Sequence, residues 1–380
     1  MDLRFTPEQQ AFRAEARAWL HDNAPREQLP SSGTRDGFEA HRAWERRLHD
    51  AGYAGLAWPS EYGGRGADVM TQAIFEEEYL ISGAPERVNV VGHKLMAPTL
   101  MAHGSEEQKR RWLPRILTSE DVWSQGFSEP SAGSDLAGLR TRAERDGEHL
   151  VVNGQKIWTS YGAFADWIFA LVRTDPSAER HRGITFLAVD MSTDGVEARP
   201  ITQLDGAAGF AEVFFTDARV PVANVIGEID EGWTVAMTTL GAERAAPAKP
   251  AGRYLRDVRE LVGIARALGL ADDPVVRDEV ARLYVGAEAY RVTTLRTLSL
   301  LARGEDPGHS ASVTKLAWSE LEHDIFATGL RLMGRAGEAF ATAPEGWWHR
   351  YWYARAATIY AGTSEIQRTI IAERVLGLPR

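Results

Sequence analysis

The carboxylate best placed for proton chemistry lies in GWTVAMTTLGAERAA (232–246), where Trp233, Ala236, Leu240 and Glu243 fall within one narrow face of a 3.6-residue helix. A carboxylate in line with an apolar stripe is desolvated, which raises its pKa toward the range useful for a general base. Arg244 is the i+1 neighbour and does not face it, so it need not neutralise the charge, and Pro247 soon breaks the helix. The same spacing also suits a Glu243 paired with a structural arginine in a helical bundle, and the residues alone leave both readings open.

A second group of chemically useful residues is WSQGFSEPSAGSDLAGLRT (123–141), where Ser128, Ser131, Gly133 and Ser134 cluster between apolar runs. Backbone N–H groups and hydroxyls in such a loop can approach a planar, acceptor-rich ligand closely, although the composition fits a β-bulge or turn as well. VNGQKIWTSYGAFADW (152–167) follows, with a hairpin expected at Asn153-Gly154 leading into Trp158, Thr159 and Ser160. Trp158 would present a broad aromatic face beside two hydroxyls, or act as a core anchor. The chain closes with IYAGTSEIQRTIIAERVLGLPR (359–380). Ala361-Gly362-Thr363 is a small-residue turn, Ser364 and Gln367 have capping-box spacing, and Ile366, Ile370 and Ile371 form the stripe of a last helix. Its N-terminus offers unpaired N–H groups to an anionic or electron-rich ligand.

The elements that must position these residues fall into an all-α, β, all-α order. Residues 1–120 read as an N-terminal helical domain. Thr6, Pro7 and Gln9 start its first helix, a second runs over about 38–51, others over 70–82 and 88–103, and Ser105 caps EEQKRRWLPRIL. Lys109-Arg110-Arg111 reads as a solvated helix face rather than a binding patch. From 121 to 228 the period becomes strand-like. HLVV, WIFALV, ITFLAV and VFF alternate with the turn signals Asp146-Gly147, Asn153-Gly154, Asp175-Pro176 and Asp194-Gly195, which predicts an antiparallel β-barrel or sandwich. Residues 229–380 return to long helical periods, as expected of a C-terminal four-helix bundle. The fold class is therefore α+β and multidomain.

A chain of 380 residues exceeds one simple core, and its net charge of −10 argues against nucleic acid or an anionic membrane as the main partner. The absence of cysteine removes disulfides, thiolate metal sites and a cysteine nucleophile, and the ten histidines show no H-x-x-x-H pair. MDLRFTPEQQAF lacks the apolar stretch of a signal peptide and no run of eighteen apolar residues occurs, so a cytoplasmic protein is the expectation. No G-x-G-x-x-G or P-loop motif supports a Rossmann or P-loop nucleotide site.

GFSEPSAGSD and NGQKIWTS resemble the two flavin-binding segments of the acyl-CoA dehydrogenase family. VFFTDARVPVANVIG (213–227), EYGG, AHGSEEQK and the closing helix match further family segments in the expected order, so the resemblance spans essentially the whole chain. It implies FAD as cofactor, with Gln125, Phe127 and Ser128 lining the isoalloxazine ring, Trp158 covering its exposed side and Ser160 near its N5 edge. It implies that Ser134 meets the acyl-CoA at the cofactor and that Thr363 and Glu365 hold FAD. MGRAG (333–337), with Gly334, sits where the family turns against the flavin's adenylate half across a dimer contact, and Arg331 stands where a glutamine is common.

The implied reaction is α,β-dehydrogenation of an acyl thioester to the trans-2-enoyl-CoA. Its electrons pass to an electron-transferring flavoprotein. The family's usual glutamate base is here Ala361, which with Gly362 keeps only backbone contacts to the substrate. The isovaleryl-CoA and long-chain members carry their base immediately before an arginine, as Glu243 and Arg244 do, which implies Glu243 as base and Arg244 as an orienter of acyl-CoA. That subgroup points toward branched, long or polycyclic acyl groups. The family's Arg-x-x-Phe-Gly contact to a neighbour's FAD is missing from APAKPAGRYLRDVRELVG (246–263). Either a homotetramer (a dimer of dimers) finds other residues, or a related subunit supplies them in a heterotetramer. The rival readings are a flavin oxidase or monooxygenase on the same fold, and a non-catalytic subunit.

Overall fold

The structure is a computed structural model and describes residues 5–204, 206–245, 250, 252–305, 308–335 and 346–379. Two compact units emerge, each assembled from separate stretches: Met1–Asn23, Asp68–Ala84 and Ala246–Arg380 form one, and Ala24–Ala67 with Pro85–Ala245 form the other.

The first unit is helical. α1 (Pro7–Asn23) starts at the capping box expected from its sequence: the Thr6 N–H donates to Gln9 Oε1 at 3.0 Å and the Gln9 N–H to Thr6 Oγ1 at 3.3 Å. α1 packs on α3 (Val69–Ser82), where Arg17 grips the buried Glu78 carboxylate through both oxygens, at 2.8 and 2.9 Å. α7 (Gly252–Ala267), α8 (Pro274–Ala302), α9 (Ser310–Met333) and α10 (Trp347–Ala357) pack around Tyr254, Leu261, Tyr290, Trp318, Phe326 and Trp347. Small residues set their spacing: a Cβ at Gly329 would lie 2.1 Å from the Trp347 ring, so only glycine lets α9 and α10 close up. α11 (Ser364–Ile370) continues into a π-helical turn, Ile371–Val375, and packs on α9.

The second unit holds the sheet, β1 (Trp123–Gly126), β2 (Arg142–Asp146), β3 (His149–Ser160), β4 (Trp167–Arg173), β5 (Ile184–Asp190), β6 (Val196–Ile201) and β7 (Phe210–Pro221). The strand order is β1-β4-β2-β3-β7-β6, with β5 on β4. β1 runs parallel to β4, while the long ladders β2–β3, β3–β7, β4–β5 and β6–β7 are antiparallel as expected. β4 and β5 are buried along nearly their whole length, as their unbroken apolar runs require.

The hairpin expected at Asn153-Gly154 lies elsewhere. Those residues are inside the twelve-residue β3, and the chain reverses at Gly147 instead. The Asn153 side chain is used across the sheet, donating to Asp217 Oδ1 at 2.9 Å and accepting from the Asp217 N–H at 3.0 Å, so the Asn-Gly pair lies opposite a bulge in β7, where Thr216 and Asp217 face Asn153 alone.

α2 (Arg35–Asp50), a π-helical turn (Gly92–Met96) running into α4 (Ala97–His103), α5 (Glu106–Leu117) and α6 (Gly232–Ala245) complete this unit. α5 begins with a full Ser105–Gln108 capping box, whose Gln108 amide also donates to Ala223 O and Val225 O at 2.8 and 2.7 Å. α6 packs on β5, the π-turn and α4, and its first residue is pressed so close to β5 that a Cβ at Gly232 would meet Phe186 N at 2.2 Å. No described helix is long and apolar enough to cross a membrane.

Candidate active site

The two hydroxyl-bearing segments of the second unit are bolted together. The Glu129 carboxylate accepts from the Arg140 and Thr141 N–H groups at 2.6 and 2.9 Å, closing the 127–141 loop on itself. Lys156, wholly buried on β3, donates to Glu129 Oε1 at 2.7 Å and to Phe127 O at 3.4 Å. The Ile157 N–H donates to Ser128 O at 2.9 Å. Burial pulls the Lys156 ammonium down to about 8, against the attraction of Glu129. Burial works against the Glu129 anion too, yet the Lys156 charge and these N–H bonds hold its carboxyl below the usual range. Gly154 permits the approach: a Cβ there would lie 2.5 Å from Thr141 Oγ1 and 2.6 Å from its Cα.

Just beyond Lys156 the β3–β7 ladder slips by one residue between Lys156 and Thr159. Trp158 occupies the bulge with φ +61°, a left-handed conformation that costs a bulky L-residue roughly 1–2 kcal/mol. The bulge turns its ring outward, where it is 56% exposed and meets the edge of the Phe210 ring at 6.2 Å. Trp158 is therefore a presented surface and not a core anchor. Ser124 Oγ ties β1 to Ser160 O at 2.7 Å.

Several polar side chains of these two segments are unspent. The side chains of Gln125, Ser128, Ser134 and Ser160 make no hydrogen bond among the described residues, and the buried Thr159 Oγ1 is unpartnered. An amide, several hydroxyls and an open indole face form a donor and acceptor set that fits a planar heteroaromatic group such as the isoalloxazine of FAD. The Phe127 ring is buried, edge-on to Phe169 and Phe186, so only its backbone remains for such a ligand. A separate cleft of about 740 Å³ beside α5 mixes Arg35, Arg111 and Arg115 with Asp121, Asp166 and Asp190, and contains none of these groups.

On α6 the buried residues are Gly232, Val235, Ala236 and Thr239, with Thr239 Oγ1 2.8 Å from Thr99 Oγ1 of α4. Trp233 and Leu240 sit at the margin of that stripe. One helical turn past Thr239 the spacing brings the backbone of residue 243 onto the same line. The side chains of Glu243 and Arg244 lie outside the described residues.

In the first unit the closing turn has a geometry its sequence did not announce. Ala361 has φ +52° and Gly362 φ +86°, and the N–H groups of 361–363 make no hydrogen bond among the described residues. Successive outward N–H groups of this kind suit a developing negative charge. The N-cap is Thr363, whose hydroxyl accepts from the Ile366 N–H at 3.2 Å, rather than the Ser364–Gln367 box expected from spacing. The Gln367 amide instead donates back to Ala361 O at 3.0 Å, because the two left-handed residues turn that carbonyl toward it. Ser364 Oγ is buried without a partner, and Glu365 is exposed in the first turn. Lys315 of α9 is buried, donates to Ala357 O at 3.0 Å and is pulled by burial to about 8.

Arg331 lies exposed near the C-terminus of α9 and pairs with Glu279 of α8. Gly334 ends that helix at φ +54°, while the remainder of the MGRAG turn, 336–337, lies outside the described residues. Glu129 and Lys156 were not among the residues singled out from the sequence. A lysine at an inward-facing strand position, in register with the buried Leu150 and Val152, was the available signal.

Comparison with known proteins identifies the fold that carries these features. Models of the acyl-CoA dehydrogenase N-terminal, middle and C-terminal domains match residues 6–120, 124–218 and 230–376. The chain belongs to the acyl-CoA dehydrogenase family, and is an oxidoreductase of that flavoprotein group. It is 43% identical over 382 residues to acyl-CoA dehydrogenase IpdE1 of Mycobacterium tuberculosis, covering 97% of each chain. It is 37% identical to acyl-CoA dehydrogenase FadE26 of the same organism, over all of this chain and 99% of the relative. Among solved structures it resembles the Tcur3481-Tcur3483 steroid ACAD, with TM-score 0.89, 34% identity and full coverage of both chains. It also resembles the ChsE4-ChsE5 complex from Mycobacterium tuberculosis, with TM-score 0.83, 34% identity and full coverage of both chains.

Proposed function

We propose that this protein desaturates an acyl-CoA thioester between its α and β carbons, with FAD as cofactor, Glu243 as the base and a polycyclic, steroid-derived acyl group as the substrate class. The carrying observation is the buried stripe of α6, Gly232, Val235, Ala236 and Thr239, which leads to residue 243, while position 361 holds no carboxylate.

FAD, when bound, supplies the acceptor for the hydride that leaves the β-carbon. The proton transfer and the orientation of the thioester are assigned to this chain. Glu243 takes the α-proton onto its carboxylate, and Arg244 orients the acyl-CoA. The Ala361 N–H, left unspent by the φ +52° turn, donates to the thioester oxygen as enolate charge develops, with Gly362 lining the same edge. Trp158 covers the flavin's open side, Gln125, Ser128 and Ser160 meet its polar rim with the Phe127 backbone, and Ser134 reaches the thioester at the flavin. Thr363, Glu365, Gly334 and Arg331 are assigned to the remainder of FAD, Arg331 after exchanging its Glu279 partner.

The acyl class rests on the relative named as a steroid ACAD, whose name joins Tcur3481 and Tcur3483, and another solved relative is named as the ChsE4-ChsE5 complex. Together with the missing Arg-x-x-Phe-Gly segment, those names favour a heterotetramer with a related subunit over a homotetramer. An electron-transferring flavoprotein is the proposed acceptor. The test is a screen of steroid-derived, branched and straight-chain acyl-CoAs with an artificial one-electron acceptor, with and without added FAD. FAD-dependent turnover of the polycyclic thioesters supports the reading. Turnover that needs O₂ and ignores the one-electron acceptor would replace it with an oxidase.

A further inference from the structure

We propose that the buried Glu129–Lys156 ion pair is a positioning device for the flavin, fixing where the β3 bulge falls and so holding Trp158 outward. The inference rests on FAD being the cofactor.

A buried ion pair seldom adds net stability, because desolvating two charges offsets their attraction, so its presence asks for another reason. Here the pair fixes register. Lys156 faces inward opposite Val213 of β7, and Thr159 faces inward opposite Ala211, with one extra residue of β3 between those pairs. A strand that slips by one residue turns every side chain to the other face. Lys156 cannot take the outer face without abandoning Glu129 Oε1 at 2.7 Å, so the extra residue must fall after it. Trp158 then adopts φ +61° and points its ring outward.

Glu129 transmits the same constraint to the opposite segment. Its carboxylate is held by the Arg140 and Thr141 N–H groups, and its backbone forms a tight two-way turn with Ala132, the N–H···O distances being 2.9 and 3.0 Å. Ser128 is thereby held one residue from the anchor, with its carbonyl bound to the Ile157 N–H. The hydroxyl loop and the indole platform thus share one pin.

The test titrates FAD into the assembled apoprotein, reading the quenching of flavin fluorescence, for wild type, Lys156→Met, Glu129→Gln, Trp158→Ala and the Lys156→Met/Trp158→Ala double variant. Glu129→Gln conserves the side chain's volume and keeps one acceptor oxygen for the two N–H groups that now bind separate carboxylate oxygens, and circular dichroism selects the variants that fold. Each single change at the pair should weaken FAD binding about tenfold, the scale of one lost charge-assisted hydrogen bond. Trp158→Ala should weaken binding in the wild-type background and add little once Lys156 is gone, since residues acting as a unit are not additive. Wild-type affinity in either folded variant, or a Trp158→Ala effect of equal size in both backgrounds, would overturn the pin. A wild-type protein that takes up no FAD would reject the flavin reading itself, a different result.

Discussion

Residue 361 carries an alanine in a backbone conformation that suits glycine. Ala361 sits at φ +52°, where an L-residue pays for its Cβ and glycine does not. Ala361→Gly should therefore leave the melting temperature unchanged or raise it, by up to about 1 kcal/mol in stability, whereas the β-branched Ala361→Val should cost about 1–2 kcal/mol. Calorimetry of the two variants checks this, and equal effects would mean the turn is not held in the left-handed region. His93 yields a second prediction at this scale. Burial, with the Arg87 guanidinium beside it, pushes its pKa from 6.5 to about 4, although Glu45 pulls the other way. Arg87 donates to His93 Nδ1 at 3.1 Å, which requires the neutral ring. Above pH 6.5 the imidazole is neutral folded and unfolded and the structure loses nothing. As pH falls from 6.5 to about 4, only the unfolded chain gains the proton, so roughly 3 kcal/mol of stability drains away across that window. His93→Gln keeps an acceptor for Arg87 and should flatten that slope in pH-dependent urea unfolding relative to wild type, while an unchanged slope would contradict the assignment.

Among the elements, β3 does the positioning, and its shape follows from Gly154 and the bulge at Trp158. Gly154→Ala would press a methyl group into Thr141, 2.5 Å from its hydroxyl and 2.6 Å from its Cα, and should destabilise the protein by about 2 kcal/mol or more while weakening FAD uptake. Chemical denaturation and FAD titration of that variant read the two effects separately. Much at this scale was legible in the sequence. The Thr6–Gln9 box and the Ser105 cap are local contacts three residues apart, and both form, the second as a full box with Gln108. The strand runs WIFALV and ITFLAV became β4 and β5 because continuous burial leaves an unbroken apolar signature. What escaped depends on partners distant in the chain. Asn153-Gly154 carries a hairpin signal, but Asp217, across the ladder, holds Asn153 within the strand opposite a bulge in β7. The left-handed turns at Trp158 and Ala361 shift their neighbours' roles, which is why Thr363 and not Ser364 became the cap. Glu129 and Lys156 lay within recognised segments, yet their pairing needs the fold of both.

On the scale of the whole molecule, composition and element order already pointed to α+β architecture, and the family models account for almost the full length. Assembly is the larger question for function. α8 presents Val275, Val285 and Val292 outward at 71%, 65% and 41% exposure, an apolar face of the kind subunits cover. Val285→Glu should lower the oligomeric state seen in light scattering, and an unchanged mass would place the subunit contact elsewhere. If a related chain supplies the missing half of the FAD site, protein expressed alone should carry FAD well below one per chain, rising when the two are co-expressed. Full occupancy in the isolated chain would contradict the need for a related subunit.

The central claim is that the proton chemistry belongs to Glu243 and not to the closing turn. Anaerobic single-turnover mixing of FAD-loaded Glu243→Gln with a substrate acyl-CoA tests it directly, by following the bleaching of the flavin absorbance. The account predicts wild-type FAD content and a bleaching rate lowered by at least ~10², in keeping with loss of a general base. Bleaching at the wild-type rate would contradict it, and return the search for the base to the other carboxylates of the chain.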